Sequence, residues 1–252
     1  NPRAFQGKGE TTWEGLIKSV RGKVKGTKAK IRLGASSGEW KAMVADEAAR
    51  TTFAKNIKKV LEKNNLDGID LDFEWAENEK EYEDYSLAIL KMREVLGDKY
   101  LFSVSLHPVC YKISKKAIEA VDFISLQCYG PSPVRFPIEK YCSDIQMVLE
   151  YGIPKEKLVA GVPFYGVTKD NSKKTEAYFN FVQDGLITSP SQNEVIYQGD
   201  TYVFDGQDNI RIKTRYAKEQ KLKGMMSWDL ATDLPLNDSK SLLKTMTEEL
   251  RE

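Results

Sequence analysis

An acidic segment, residues 67–74, carries the side chains best suited to chemistry. It reads Asp-Gly-Ile-Asp-Leu-Asp-Phe-Glu, and Trp75 follows it. Side chains alternate between the two faces of a β-strand, so a strand here places Asp70, Asp72 and Glu74 on one face. Three ionised carboxylates this close together raise the pKa of at least one of them. A purely structural strand gains nothing from that cost, so the segment predicts a proton-transfer site.

The composition fits one globular domain and excludes several classes of function. The 252 residues are 41% hydrophobic, and 38 basic residues against 37 acids leave a formal charge of +1. We therefore expect no nucleic-acid partner. The apolar runs are all short, so no membrane span is expected. The three cysteines lack metal-ligand spacing and there is a single histidine, so we expect no metal and no cofactor. A monomeric protein is also expected.

Short apolar runs alternate with amphipathic helical patterns, which predicts an α/β fold with a parallel sheet. The six predicted strands are residues 30–35, 68–75, 101–107, 123–129, 158–165 and 224–230. A (β/α)8 barrel needs eight strands, so we expect the first two upstream of Asn1, with residues 1–11 as the tail of a loop. Residues 167–223 interrupt the rhythm and predict a small α+β insertion before the last strand. The whole chain, residues 1–252, is otherwise expected to form one barrel domain.

Other predicted strand ends carry groups that complement the acids. In a barrel, the carboxyl ends of the strands form the reactive face. Gln127 and Tyr129 share one face at the end of their strand, Tyr165 ends the next strand, and Trp228 lies near the end of the last. Aromatic faces suit the apolar face of a sugar ring. Together with Glu74 as a general acid, these groups suggest a glycosidase.

The acidic segment matches the DxxDxDxE signature of family 18 glycoside hydrolases, the chitinases and endo-β-N-acetylglucosaminidases. The chain resembles this family from about residue 28 to residue 230. Residues 31–35 resemble its SxGG strand, of which Gly34 is kept, and residues 127–129 resemble its Gln-x-Tyr strand. Residues 161–166 and 224–228 are similar to its seventh and last strands. One departure is Gly130, where many chitinases have aspartate after the tyrosine.

The resemblance implies a retaining mechanism in which the substrate's own 2-acetamido oxygen attacks the anomeric carbon. Glu74 then protonates the glycosidic oxygen and later activates water. Asp72 holds the acetamido N–H, and Asp70 supports Asp72 by sharing a proton with it. The other expected site residues are Tyr129 on the acetamido oxygen, Trp228, Gln127 and Tyr165 as sugar contacts, and Asp67 and Gly34 as structural positions of the motif.

The expected function is hydrolysis of β-1,4-linked N-acetylglucosamine bonds in chitin or a chitin-like oligosaccharide. The resemblance also implies a secreted, cell-surface or periplasmic location, although no secretory signal is visible at Asn1. Two alternatives within the family stay open: a carbohydrate-binding, lectin-like relative with little or no turnover, and an endo-β-N-acetylglucosaminidase acting on N-glycans. A different class of function is metal-dependent chemistry on Asp70, Asp72 and Glu74. It ranks lower because no further acid is placed clearly at a neighbouring strand end.

Overall fold

The computed structural model describes residues 12–36 and 39–251 of the chain. The chain divides into two compact units, residues 1–124 and residues 125–252. In the first unit the elements are α1 (Trp13–Lys23), β1 (Arg32–Ala35), α2 (Trp40–Ala45), α3 (Glu47–Lys63), β2 (Gly68–Leu71), α4 (Glu79–Leu96), β3 (Leu101–Leu106), α5 (Lys115–Ala120) and the start of β4 (Phe123–Leu126). The expected loop at residues 1–11 and the expected upstream strands lie outside the described residues.

The second unit continues the alternation and adds a group of short strands. Its elements are α6 (Ile138–Tyr151), β5 (Leu158–Pro163), β6 (Tyr165–Thr168), β7 (Thr175–Ala177), α7 (Tyr178–Gln183), β8 (Glu194–Tyr197), β9 (Asp200–Val203), α8 (Gln207–Glu219), β10 (Gly224–Trp228) and α9 (Leu242–Arg251).

The two sheets confirm the predicted fold class. Six strands follow one another in the order β1-β2-β3-β4-β5-β10, with parallel pairing of β1 to β2, β2 to β3 and β5 to β10. This is the α/β fold of a partial (β/α)8 barrel. The insertion before the last strand is an antiparallel sheet in the order β7-β6-β9-β8. The sheet has four strands, and its first strand in the chain, β6, begins at Tyr165, two residues before the predicted insertion.

Local signals explain where several helices begin and end. The side chains of Asp46, Asn78 and Ser114 accept hydrogen bonds from the first turns of α3, α4 and α5, as N-cap residues do. Helix α6 ends at Gly152, which adopts φ of 109°, a conformation that glycine tolerates best. The sequence therefore fixes these helix ends locally.

All six predicted strands are shorter in the structure. For β2, β4 and β5 this corrects the placement of several site residues. Strand β2 ends at Leu71, so Asp72 and Glu74 lie in the segment after it. The N–H of Asp72 still bonds to the carbonyl of Ala35 at 2.9 Å, but β1 ends at that alanine. Strand β4 ends at Leu126, before Gln127 and Tyr129. Strand β5 ends at Pro163, and Tyr165 begins β6 of the small sheet.

The core of each unit consists of large apolar side chains from the strands and from the inner helix faces. In the first unit, Leu71, Phe102 and Val104 are fully buried, and in the second unit Leu126 and Val162 are. Within residues 12–36 and 39–251, no helix combines the length and the hydropathy needed to cross a bilayer.

Candidate active site

The acidic segment is anchored at its start by the pairing of β1 with β2. A carboxylate oxygen of Asp67 accepts a hydrogen bond from the N–H of Ile31 at 2.8 Å, and Lys30 lies 3.4 Å from the other oxygen. Gly68 follows because the backbone of β3 comes very close: a Cβ there would lie 1.9 Å from the carbonyl oxygen of Leu101. Asp67 and Gly68 thus fix the entry of the strand.

Asp70 is the one acid of the segment that lies on the strand itself. Ser105 donates to its Oδ2 at 2.7 Å, and the hydroxyl of Ser103 donates to its Oδ1. Arg32 donates to Ser103 and lies 3.8 Å from Oδ1. Burial raises the pKa of Asp70, whereas the two hydroxyls and then Arg32 act to lower it. The leading cause is therefore burial, and not the crowding of like charges that the acidic segment predicts.

Glu74 presents its side chain to solvent from a backbone that is held in place. The indole N–H of Trp40 donates to the carbonyl oxygen of Glu74 at 3.0 Å. Trp40 is buried and stacks on Phe73, with ring centroids 5.4 Å apart and planes within 12°. Phe73 is buried, Asp72 is half-buried and Glu74 is exposed, so side chains still alternate after the strand has ended. The exposed carboxylate can reach a substrate.

Trp75 extends this exposed surface. It is 39% exposed, and its ring lies 4.8 Å from that of the buried His107. An aromatic ring held in this way beside an acid offers a flat apolar surface.

In the second unit, Tyr129 is held by close packing around its ring. Its hydroxyl donates to the sulfur of Met226 at 3.5 Å. A Cβ on Gly161 would lie 2.9 Å from Cε1 of Tyr129 and 2.7 Å from the carbonyl of Leu126, so glycine leaves the room that this ring occupies. Gln127 is buried nearby in the chain, at 8% exposure.

Tyr165 and Trp228 differ in how far they face solvent. The ring of Tyr165 packs edge-on against Tyr129 at 6.4 Å, and its hydroxyl donates to the carbonyl of Gly130 at 3.3 Å. Trp228 is the last residue of β10 and is 52% exposed. Of the two, Trp228 offers the free ring surface that could contact a ligand.

In the first unit, strand pairing places two predicted site residues side by side. Gly34 of β1 pairs in register with Asp70 of β2, and Asp70 pairs in register with Ser103 of β3. The space around Gly34 is open, since an added Cβ there would meet nothing within 4 Å. Sequence reasoning missed Arg32, Ser103, Ser105 and Trp40. For three of these residues the sequence does contain a signal. Arg32 interrupts an otherwise apolar run at the start of β1, and Ser103 and Ser105 occupy alternate positions of β3, on one face of that strand.

The described part of the chain holds no group of three or more histidine, cysteine, aspartate or glutamate side chains that could bind a metal ion. The acids of residues 67–74 take separate environments: Asp67 accepts from a backbone N–H, Asp70 accepts from hydroxyls and Glu74 faces solvent.

The fold is thus that of a partial (β/α)8 barrel, with an acid directly after β2 in the first unit and an exposed tryptophan at the end of β10 in the second. A family model described as glycosyl hydrolases family 18 matches residues 12–233. The chain belongs to glycosyl hydrolase family 18.

Several known proteins that resemble the chain are described as chitinases, and one is described as a chitinase-like agglutinin. "Probable chitinase 2" of Drosophila melanogaster is 24% identical over 78% of this chain and 54% of its own length. The chain thus spans about half of that relative. A GH18 chitinase from the chitin utilization locus of Flavobacterium johnsoniae is 27% identical with a TM-score of 0.76, over 94% of this chain and 79% of that one. A chitinase-like agglutinin from Robinia pseudoacacia has a TM-score of 0.76 at 19% identity, over 94% of this chain and 84% of that one, and thus shares the fold.

Proposed function

We propose that this chain is the catalytic region of a retaining glycoside hydrolase that cleaves β-1,4-linked N-acetylglucosamine bonds in chitin or a chitin-like oligosaccharide. The observation that carries the proposal is Glu74: an exposed carboxylate whose backbone carbonyl is fixed by Trp40. Membership of the family and the description of relatives as chitinases support the choice of substrate. A position held this firmly suits a group that must transfer a proton at a defined place.

The proposed reaction begins when the 2-acetamido oxygen of the bound sugar attacks the anomeric carbon. The bond to the leaving group breaks, and Glu74 gives its proton to the glycosidic oxygen. Asp72 accepts a hydrogen bond from the acetamido N–H and stabilises the positive oxazolinium intermediate. Glu74, now a carboxylate, takes a proton from water, which attacks the anomeric carbon and opens the intermediate with overall retention. Tyr129, Trp228, Gln127 and Tyr165 are proposed as sugar contacts.

Glu74→Gln tests the proposal in the full-length protein. The amide keeps the size of the side chain but cannot donate the acid proton, so turnover of a chromogenic chitobioside is expected to fall by about 10²- to 10⁴-fold. Binding of chitin oligosaccharides, measured by calorimetry, is expected to remain. Glu77→Gln is the matched control, because Glu77 is exposed in the same segment and its carboxylate pairs with Lys41 at 3.0 Å. An equal loss of turnover in the two variants would contradict the role of Glu74.

The second candidate function is carbohydrate binding without turnover. The exposed rings of Trp75 and Trp228 favour it, because they would contact a sugar whether or not hydrolysis occurs. A wild-type protein that binds chitin oligosaccharides or N-glycans but hydrolyses neither would establish this reading. Preferred turnover of N-glycans would favour the endo-β-N-acetylglucosaminidase alternative.

The substrate-assisted step has its own test. Substrates whose 2-acetamido group is replaced by hydroxyl lack the attacking oxygen and are expected to resist cleavage. Efficient cleavage of them would rule this mechanism out. A monomeric state and a secreted, cell-surface or periplasmic location remain predictions.

A further inference from the structure

Arg32 is a charged residue in a strand whose neighbours are apolar, and its surroundings are specific. It is the first residue of β1, and its side chain is 26% exposed. Its guanidinium carbon lies 4.6 Å from the ring centroid of Phe123. One of its nitrogens donates to the hydroxyl of Ser103 and lies 3.8 Å from Oδ1 of Asp70. Asp70 is thus the carboxylate with which Arg32 forms an ion pair.

The hydroxyl of Ser103 lies between Arg32 and Asp70, and these two partners fix the direction of its hydrogen bonds. A guanidinium group has only donors, so the oxygen of Ser103 must accept from Arg32. The one proton of that hydroxyl is then committed to Oδ1 of Asp70. Ser105 donates to Oδ2 at 2.7 Å. Both oxygens of Asp70 therefore meet donors, which is the pattern that suits a carboxylate and not a carboxylic acid.

The other charges near this chain of hydrogen bonds leave Arg32 available to Asp70. Asp122 also acts on Arg32, but its carboxylate pairs with Arg93 at 2.9 Å and accepts from the N–H of Phe102 at 2.7 Å. Burial lowers the pKa of Arg32, yet an arginine side chain remains protonated in proteins. Tyr85 of α4 lies near the same acids: burial, and then the charges of Asp70 and Asp72, raise the pKa of its hydroxyl.

We propose that Arg32 is a positioning residue that acts, directly and through the Ser103 hydroxyl, to favour the carboxylate form of Asp70. This inference rests on the proposed function and adds a residue to it. Arg32 and the hydroxyls of Ser103 and Ser105 then oppose the effect of burial on Asp70.

A direct test follows the titration of Asp70 by carbon NMR of the aspartate carboxyl groups, with the signal assigned by its loss in Asp70→Asn. Arg32→Leu is expected to move the titration to higher pH, because the cation that favours the carboxylate is gone. Arg32→Lys is expected to restore part of the shift. Arg21→Leu is the matched control, since Arg21 donates only to backbone carbonyls of Asn64 and Asn65. An unchanged titration in Arg32→Leu would overturn the proposal.

Ser103→Ala keeps the test decisive if Arg32→Leu does not fold. It removes the hydroxyl that links Arg32 to Asp70 but leaves the arginine in place. Loss of this hydrogen bond is expected to move the Asp70 titration to higher pH, and an unchanged titration would contradict the role given to Ser103 in the proposal. Circular dichroism would confirm that each compared variant is folded.

The link to the reaction is tested with the pH dependence of kcat/KM in the full-length protein. The acid limb is expected to move to higher pH in Arg32→Leu, lowering kcat/KM below the limb about tenfold for each pH unit moved. Arg32→Lys is expected to restore part of the profile. If the NMR titration shifts but the acid limb does not, the proposed role of Arg32 is wrong. If the wild-type protein lacks activity, the proposed function fails, whereas the NMR titration still decides whether Arg32 controls Asp70.

Discussion

An aspartate in each unit is withdrawn from solvent, Asp205 completely and Asp70 partly, and the two are stabilised in different ways. Asp205, after β9, is 0% exposed at its side chain, and its Oδ2 lies 2.6 Å from the ammonium group of Lys213, itself 1% exposed. Asp70, on β2, is 18% exposed at its side chain and meets two serine hydroxyls, with Arg32 at 3.8 Å. Burial raises the pKa of both carboxyl groups.

The forces that oppose burial differ between the two sites. For Asp205 the leading one is the charge of Lys213, followed by its hydrogen bond. For Asp70 the hydroxyls of Ser103 and Ser105 come before the charge of Arg32. A buried contact ion pair fixes both partners, because separating them leaves a charge without compensation. A carboxylate held by neutral hydroxyls loses less when it gains a proton, so Asp70 suits proton exchange and Asp205 suits structure.

Lys213→Met provides the strongest challenge to this comparison. It leaves Asp205 buried without its cation, so the free energy of unfolding is expected to fall by about 3–5 kcal/mol. Urea denaturation measures the change. Lys218→Met, at an exposed position of the same helix, is the control and should change stability by less than about 0.5 kcal/mol.

A double variant separates the lost pair from lost packing. Asp205→Leu combined with Lys213→Met removes both charges, and it is expected to recover most of the stability lost in Lys213→Met. Equal losses in the single and double variants would mean that other contacts of Lys213, such as those of its ammonium group with the rings of Phe136 and Tyr141, matter more than its pair with Asp205.

The sequence predicted the elements of the fold better than their ends. All six predicted parallel strands are present, because their central apolar runs are local signals. The predicted strand at residues 68–75 nevertheless ends at Leu71. Its length depends on where its neighbour β1 ends, and the N–H of Asp72 bonds to the last residue of β1. Strand ends of this kind are set by pairing partners far along the chain.

The candidate site shows the same difference between local signals, which the sequence reveals, and contacts between distant residues, which it does not. The acids of residues 67–74 stand out because several of one kind recur in a short run. The partners of Asp70 do not, since Ser103 reaches it only through the register of β3 against β2. A slip of one residue in that register would turn both serines to the other face. Trp40 finds the carbonyl of Glu74 across 34 positions of the chain, and no local pattern specifies such a contact.

Asp70→Asn tests the claim that Asp70 titrates within the folded protein. Burial raises its pKa above the ordinary value of 3.8, so between 3.8 and the raised pKa the folded state binds more protons than the unfolded state. Wild-type stability therefore falls as pH rises through this window. Asparagine does not titrate, so its stability relative to wild type is expected to rise with pH. The gain is about 1.4 kcal/mol for each pKa unit of elevation.

The opposite sign is expected at an exposed aspartate of the second unit. Asp170 accepts from the N–H of Ser172 at 3.0 Å, and this hydrogen bond lowers its pKa. Asp170→Asn should therefore lose stability relative to wild type as pH rises, whereas Asp70→Asn gains it. Urea denaturation across pH 3 to 7 measures both trends. A flat difference for Asp70→Asn would show that its burial has no energetic consequence.

The smallest effect is expected for an ion pair that resembles Lys213–Asp205 in distance but not in burial. Lys169 and Glu194 approach to 2.6 Å in the small sheet, with side chains 57% and 50% exposed. Water screens this pair, and its long side chains lose entropy when they are held together, so Lys169→Met is expected to change the free energy of unfolding by less than about 0.5 kcal/mol. Denaturation at low and high salt should give the same small value within that range. A loss comparable to that of Lys213→Met would mean that contact distance, and not burial, governs the strength of ion pairs in this unit.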